Sequence, residues 1–368
     1  MDNPFLIRSD DPKKSDRLTP LCSVNKVVIA KLPVYGVDDP IEGMNVKSFF
    51  SAKIIADTVR KNAPLLHIND MAYSDKDLPK VLARKANDAS DCYGAKEAQR
   101  IIKKFGSRLG LLLLTLKLGE KENRYARPDW TFAHWEYWKN VSDIVLVGGL
   151  ASGSFGEILR DSANEVFALK CVKPYNILLY ANAAQAAVLG CAACIEARSG
   201  VFVVMDFGQT GIKRSCVVMR DGEAAEIHSF ETLPSRYMDW ELPSEEEKLR
   251  QAKKLHAYLI SALEKTYREA ERKLKTDIGD EIIISIASYT SDGVLDSTRG
   301  GYAKLCLLGE NYAEVLNWEL SGRLRREVRV KLIHDGTAVA LNFRSRRSTV
   351  CLSVGSYFGV GFPETEIV

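Results

Sequence analysis

Long apolar runs, blocks of one charge and paired cysteine motifs are all scarce in this chain of 368 residues. The most apolar patch, Leu109–Leu116, falls far short of the ~20 residues that a membrane-spanning helix needs, so no membrane partner is expected. The opening MDNPFLIRSDDPKKSD holds no apolar core of signal-peptide length. Basic and acidic residues nearly cancel, leaving a formal charge of +3. Mild basic clusters at Arg323–Lys331 and Arg344–Arg347 are interleaved with apolar positions. They read as solvated faces, and no nucleic-acid partner is expected. Eight cysteines are scattered, and the lone CxxC, Cys191 with Cys194, sits inside the small-residue run AAVLGCAACIEA. That run reads as a helix with two buried thiols, and no second pair completes a zinc site. A reducing cytoplasm is the expected compartment. No short solenoid repeat is present.

The length suffices for two domains with substantial cores. The most informative stretch is Val201–Lys213, VFVVMDFGQTGIK. Five apolar residues lead into Asp206, followed by Gly208, Gln209, Thr210 and Gly211, with Lys213 just beyond. A strand ending this way makes either an ordinary β-hairpin or a turn whose backbone N–H groups face a phosphate, beside a hydroxyl and a carboxylate suited to Mg²⁺. Strands and helices alternate around it, which favours an α/β architecture in two halves. Before the stretch, Lys26–Val34 reads as a strand, and Val46–Arg60, Asp77–Arg84 and Gly94–Lys117 read as helices. The aromatic group around Trp130, Trp135, Tyr137 and Trp138 suits either stacking on a base or packing a loop onto its domain. Ile144–Val147 is an apolar strand running into Gly148-Gly149 and a helix start at Ser152, a place for close backbone approach to a ligand. Val166–Val172 reads as a strand and Ile177–Ile195 as an alanine-rich helix with Gly190 at a close helix contact.

After the stretch, strands continue through a turn at Asp221-Gly222. A long helix spans Ser244 to Lys275, with Ser244 and Glu247 as a capping box. Glu281–Ala287 is a buried strand, and Leu316–Leu324 reads as helical. Val328–His334 is a strand ending at Asp335-Gly336-Thr337. There Asp335 suits a general base or the N-cap of the following helix, and His334 suits local packing. Thr349–Val354 runs into Gly355-Ser356-Tyr357-Phe358-Gly359-Val360-Gly361.

These motifs together resemble the actin/hexokinase/heat-shock-chaperone ATPase superfamily, and within it the ROK-type sugar kinases. Asp206-Phe207-Gly208-Gln209-Thr210 resembles the first phosphate motif and Gly355–Gly361 the second. Ile144–Leu150, IVLVGGL, is similar to the adenosine motif. Ile333–Ala338, IHDGTA, resembles the segment with the catalytic aspartate, and Ala187–Ala193 the closing helix. The motif order is rotated relative to the family, as in a circular permutation with the old ends joined near Ala197–Val201. Tyr357 stands where the family has glycine, and the family's sugar-contacting Glu-x-Gly-His segment and cysteine-rich zinc loop are absent.

The resemblance implies an α/β, two-lobed actin-like ATPase (ribonuclease H-like) fold. A larger lobe would combine 1–184 with 348–368, and a smaller lobe would span 185–347. It implies ATP and Mg²⁺ as cofactors, with ATP held between the lobes. Asp206 would hold Mg²⁺ through water. Gly208, Gln209, Thr210, Lys213, Gly355 and Ser356 would meet phosphates, and Gly148 and Gly149 the adenosine. Asp335 would be the catalytic base toward a small-molecule hydroxyl such as a sugar, with Glu310 and Asn311 as further acceptor contacts. The alternative is a nucleotide-binding regulator or scaffold that hydrolyses slowly or not at all. A homo-oligomer is compatible with either.

Overall fold

The computed structural model describes residues 2–37, 39–180, 182, 185–236, 244–296 and 301–368. The chain divides into two compact units. Unit 1 comprises Met1–Phe5, Leu21–Ala184 and Ser348–Val360, and unit 2 comprises Leu6–Pro20, Gln185–Arg347 and Gly361–Val368. Residues 6–20 and 361–368, expected within the larger lobe, thus belong to unit 2. They are held there by hydrogen bonds from Ser15 N to the Asp292 carboxylate and from Asp16 N to Glu366 O.

In chain order the strands are β1 (Leu6–Ile7), β2 (Arg17–Leu18), β3 (Asp143–Val147), β4 (Asn176–Leu179), β5 (Gly200–Phe207), β6 (Gly211–Arg220) and β7 (Glu223–Ser229). After them come β8 (Leu233–Pro234), β9 (Glu281–Ile286), β10 (Thr290–Ser291), β11 (Val294–Leu295), β12 (Arg329–His334), β13 (Thr349–Val354) and β14 (Phe358–Gly361). The helices are α1 (Val46–Phe49), α2 (Ala52–Lys61), α3 (Ala63–Leu66), α4 (Leu78–Lys85), α5 (Cys92–Leu118) and α6 (Lys121–Tyr125). They continue with α7 (Phe132–Asn140), α8 (Gly153–Leu169), α9 (Ala186–Ala192), α10 (Glu245–Leu274), α11 (Tyr312–Leu324) and α12 (Asp335–Ala340).

Unit 2 is built on a mixed sheet in the order β12-β9-β5-β6-β7, with β8 beside β6. β5, β6 and β7 are successive antiparallel strands, while β9 and β12 add in parallel through helical crossovers. Alternation along β5 sorts its side chains between the two faces. Val201, Val203, Met205 and Phe207 join one core with Leu255, Leu259, Leu263 and Tyr267 of α10 and Leu316 and Leu320 of α11. Each of these buried side chains stabilises the fold by roughly 1.5–3 kcal/mol before chain entropy is subtracted. Asp206 falls on the alternate set, and α9 and α12 pack together beside β5 and β9. The long helix α10 begins as its sequence predicts, with Ser244 Oγ accepting from Glu247 N at 3.1 Å. Only half of the expected box forms, because the Glu247 carboxylate accepts from Arg250 and Gln251 instead.

In unit 1 the sheet order is β14-β13-β3-β4, with β13, β3 and β4 parallel. Thr349–Val354 lies beside Ile144–Val147, as expected, with Val350 opposite Ile144. Helices α5 and α8 form the main helical contact of the unit. Gly106 and Gly110 of α5 permit it: a Cβ at Gly106 would meet Ser162 Cβ at 2.6 Å, and one at Gly110 would meet Ala163 O at 2.7 Å. The aromatic group resolves as packing: Trp130, Tyr137 and Trp138 are buried around Phe5, and buried Trp135 packs edge-on against Trp130.

Three segment expectations are overturned. Val166–Val172 is not a strand: Val166 and Phe167 continue the buried face of α8 with Leu159 and Ala163. Ile177–Ile195 is not one helix, because Ile177 pairs with Ile144 as part of β4 and, among the described residues, helix is confined to Ala186–Ala192. Lys26–Val34 makes only a short 3-10 turn and one bridge, Val28 to Asn45, while its apolar Val27 and Ile29 are buried as loop residues. Helix α10 and its neighbours, by contrast, follow the predicted spacing. Among the described residues no helix is long and apolar enough to cross a membrane.

Candidate functional site

The β5–β6 hairpin places its charged residues by register. Asp206 stands opposite Lys213 across the antiparallel pair and opposite Ser285 across the parallel pair with β9. The row closes into contacts. Lys213 Nζ donates to Asp206 Oδ2 at 2.8 Å, and Ser285 Oγ donates to Asp206 Oδ1 at 3.0 Å. Asp206 is buried, whereas the Lys213 side chain is half exposed. The lysine is therefore free to follow an anion while the carboxylate stays in place.

Gly208 bridges the turn, its N–H donating to Gly211 O at 3.1 Å. Gln209 and Thr210 form the exposed tip. Underneath, buried Tyr302 donates its hydroxyl to Gly208 O at 3.1 Å, lies 3.1 Å from Ser235 Oγ, and stacks on Phe207. Burial pushes the Tyr302 phenol well above its ordinary value. It therefore remains a protonated donor throughout the working pH range. The stretch is a hairpin, and its tip is a braced, exposed turn beside a carboxylate and an ammonium.

At the end of β12, two strands along from β5, the chain turns directly into α12. The N-cap is His334, not Asp335: His334 Nδ1 accepts from Thr337 N at 3.2 Å. Asp335 is the first helical residue, and its Oδ1 accepts from Gly336 N at 2.7 Å. Relieved of capping, the Asp335 side chain is 36% exposed, enough to reach a ligand. Its carboxyl lies above the ordinary carboxylate value. Desolvation by the surrounding protein is the main cause, opposed by His334 and reinforced by the negative charge of Asp206. The two carboxyl groups thus stand at the carboxyl ends of β5 and β12, and the one at β12 holds its proton more tightly than an ordinary carboxyl.

The glycines of unit 1 sit at the carboxyl ends of two neighbouring parallel strands. Gly148, with φ +99°, follows β3, and a Cβ there would lie 2.5 Å from Val354 O at the end of β13. Gly149 and Gly355 face open space. Ser152 begins α8, its Oγ donating to Gly149 O at 3.1 Å. The Gly355-Ser356-Tyr357 turn is anchored by Ala52 N donating to Gly355 O and by Gly359 N donating to Ser353 Oγ. Tyr357, standing where the resembled family has glycine, is half exposed. Strand ends of this kind form crevices where a backbone meets ligands.

The two expected acceptor contacts, Glu310 and Asn311, stand at the start of α11. Asn311 is the N-cap of α11: its Oδ1 accepts from Ala313 N and Glu314 N, and its Nδ2 donates to Asp292 O. Glu310 is exposed beside it. Among the described residues no hydrogen bond joins either to Asp335. Ser285, Tyr302 and Ser235 were not expected at the site, since no local pattern marks a partner tens of residues away, and His334 takes the cap of α12 through Thr337, three residues on. The Cys191–Cys194 thiols are buried as expected, and burial pushes both above their ordinary value.

Three antiparallel strands continued by two parallel ones, with Asp206 near the end of the first and Asp335 directly after the last, make an α/β fold of the ribonuclease H-like class. No protein-family model matches the chain, and no curated protein matches it. Among solved structures, the ethanolamine utilization protein EutJ from Carboxydothermus hydrogenoformans aligns at 14% identity with a TM-score of 0.29, over 53% of this chain and 62% of that one. The chain therefore spans less than two thirds of that protein. The type II variant of the Aquifex aeolicus Ppx/GppA phosphatase aligns at 12% identity with a TM-score of 0.27, over 71% of this chain and 87% of that one. The class rests on the sheet order, not on these loose alignments.

Proposed function

We propose that this chain binds ATP with Mg²⁺ and transfers its terminal phosphoryl group to a hydroxyl acceptor, a sugar or polyol being the class that the motifs resemble. The observation that carries this reading is Asp335, a carboxyl raised above its ordinary value at a strand-to-helix junction and electrostatically coupled to Asp206.

The residues of unit 2 suit the separate tasks. Phosphoryl transfer asks a protein chiefly for positioning, charge neutralisation and a proton acceptor. Lys213 supplies a mobile positive charge, and the exposed Gln209–Thr210 tip supplies peptide N–H groups and a hydroxyl. Asp335 accepts the proton of the acceptor hydroxyl. Among the described residues no three His, Cys, Asp or Glu side chains cluster in metal-ligating range. Mg²⁺ needs no such cage, since it keeps most of its waters and takes one or two carboxylates plus substrate phosphates. Asp206, with one oxygen on Ser285 and one on a displaceable lysine, fits that role through water. The bound ion would supply neutralisation of phosphate charge. In unit 1, the open sites at Gly149 and Gly355 support the assignments of Gly148, Gly149, Gly355 and Ser356 to backbone contact with a nucleotide.

The rotated motif order also draws support from topology. Unit 1 repeats the arrangement of hairpin partner, first strand and two parallel strands seen in β6-β5-β9-β12, but its hairpin pair, β13 and β14, comes last in the chain. A circular permutation produces that order without changing the sheet.

A second reading is favoured by one observation: Asn311, one of the two expected acceptor contacts, is engaged as a helix cap. On that reading water is the acceptor, and the protein is a slowly hydrolysing nucleotide-binding regulator. A coupled ADP-release assay over a panel of sugars and polyols decides between them. Acceptor-stimulated release, reduced by about 10²–10⁴ in Asp335→Ala, is expected for the transferase. Slow, acceptor-independent release supports the regulator. Equal stimulated release by both proteins removes Asp335 as the base, and no binding of ATP or ADP by calorimetry removes both readings.

A further inference from the structure

We infer that His334 is a positioning residue for Asp335: it is held as the neutral Nε2–H tautomer, faces Oδ1 of that carboxyl, and leaves Oδ2 as the oxygen that takes the proton. This rests on the reading of Asp335 as base and specifies how that base is oriented.

The tautomer follows from one contact. Thr337 N lies 3.2 Å from His334 Nδ1, and a backbone N–H can only donate. Nδ1 must therefore carry a lone pair, and in a neutral imidazole the proton is then on Nε2. Nε2 lies 3.2 Å from Asp335 Oδ1, the same oxygen that accepts from Gly336 N at 2.7 Å. Oδ1 thus accepts from Gly336 N and has Nε2 close beside it, and Oδ2 is the oxygen left to a substrate.

The ring is fixed as well as oriented. It is 7% exposed and lies flat on Tyr289, with centroids 4.7 Å apart and planes 9° from parallel. A second proton on the ring would need Nδ1, and so would break the cap on α12. His334 therefore does not shuttle protons, and burial, which lowers its affinity for a second proton, acts in the same direction. The other charged groups nearby do not replace it. Asp206 and Lys213 act on Asp335 from the β5–β6 hairpin. Asp16, Asp292 and Lys331 line a cavity of about 20 Å³ beside His334, room for a single water.

The test uses His334→Asn. Asparagine is among the strongest N-caps, so it keeps the start of α12 while removing the Nε2–H. In the wild type, long-range ¹H–¹⁵N spectra of the ring should show Nε2 protonated and Nδ1 bare at pH 7. An Nδ1–H tautomer or a doubly protonated ring overturns the inference. In the variant, the Asp335 carboxyl, followed by ¹³C NMR, should titrate at higher pH than in the wild type, because the Nε2–H beside its charged form is gone. Turnover should fall by roughly tenfold or more with ATP affinity unchanged, as expected for a misdirected base. A variant with lower thermal stability but the wild-type Asp335 titration marks His334 as a cap only and overturns the inference. Asp335→Asn separates the two claims. If it retains full turnover, the base reading fails, while the ring spectra still decide the tautomer. If it is inactive and His334→Asn is fully active, the positioning role alone fails.

Discussion

Gly190 is the position where packing and chemistry meet most directly. It lies in α9, where that helix crosses α12, and a Cβ there would sit 1.6 Å from Ala338 O and 2.7 Å from its carbonyl carbon. That is roughly half of an ordinary non-bonded contact distance. The obstacle is backbone, so no rotamer change relieves it, and Gly190→Ala must push α9 and α12 apart. Overpacking of this kind costs about 1–3 kcal/mol. Asn342 Nδ2 bonds Ala186 O at 2.6 Å and Val339 O at 2.8 Å, and separating the helices strains this bridge too, at about 0.5–1.5 kcal/mol per bond lost. The better helix propensity of alanine returns at most about 1 kcal/mol. The net expectation is a destabilisation of about 1–4 kcal/mol, the difference of those terms. The chemical consequence should exceed the thermal one. Asp335 is the first residue of α12, and a displacement of about 1 Å at a reacting group lowers turnover by roughly 10².

Gly322→Ala is the matched control. It is exposed in α11 with nothing within 4 Å of its would-be Cβ, so it should be neutral or stabilising by up to about 1 kcal/mol. Urea unfolding midpoints of the two variants, with ADP release measured alongside, provide the comparison. Gly190→Ala unfolding at or above the wild-type midpoint with unimpaired turnover would refute the reasoning, because it would mean that α9 and α12 accommodate a methyl group where none fits.

Two further outcomes follow from the site. Tyr302→Phe keeps the ring against Phe207 but removes the hydroxyl that braces Gly208 O. A loss of about 1 kcal/mol of stability and roughly fivefold weaker ATP binding by calorimetry are expected, and an unchanged ATP affinity would separate the brace from the turn's function. Asp335→Asn should stabilise the protein at neutral pH. The carboxyl binds its proton more tightly when folded than its ordinary value of 3.8. The favourable contribution of the protonated group is therefore present below that value and lost as the pH rises through the raised folded value, where the ionised, partly desolvated carboxylate becomes a cost. Melting temperatures of the two proteins should diverge above that range, with the variant higher, and converge below pH 4. A variant that is less stable than wild type at pH 7 would contradict the sign.

The sequence by itself determined those elements whose signals are local. VFVVMDF followed by a glycine turn, Asp221-Gly222 between two further strands, and the 3.6-residue apolar spacing after Ser244 each satisfy their own backbone hydrogen bonds within a short window. Strands β5 to β7 and helix α10 were therefore legible, as were the carboxyl-end positions of Asp206 and Asp335. Where the environment chose between helix and strand, the sequence was ambiguous. Val166 belongs to a helix because Gly106 and Gly110 let α8 lie against α5, and Ile177 belongs to a strand because β3 offers it a parallel neighbour. The site's partners were decided only by tertiary structure. Ser285 reaches Asp206 across 79 positions of chain through the register of two parallel strands. Tyr302 reaches Gly208 across 94. His334 took the cap that its neighbour also suited, which left Asp335 its carboxylate. Register and burial are properties of the assembled sheet, and no window along the chain contains them.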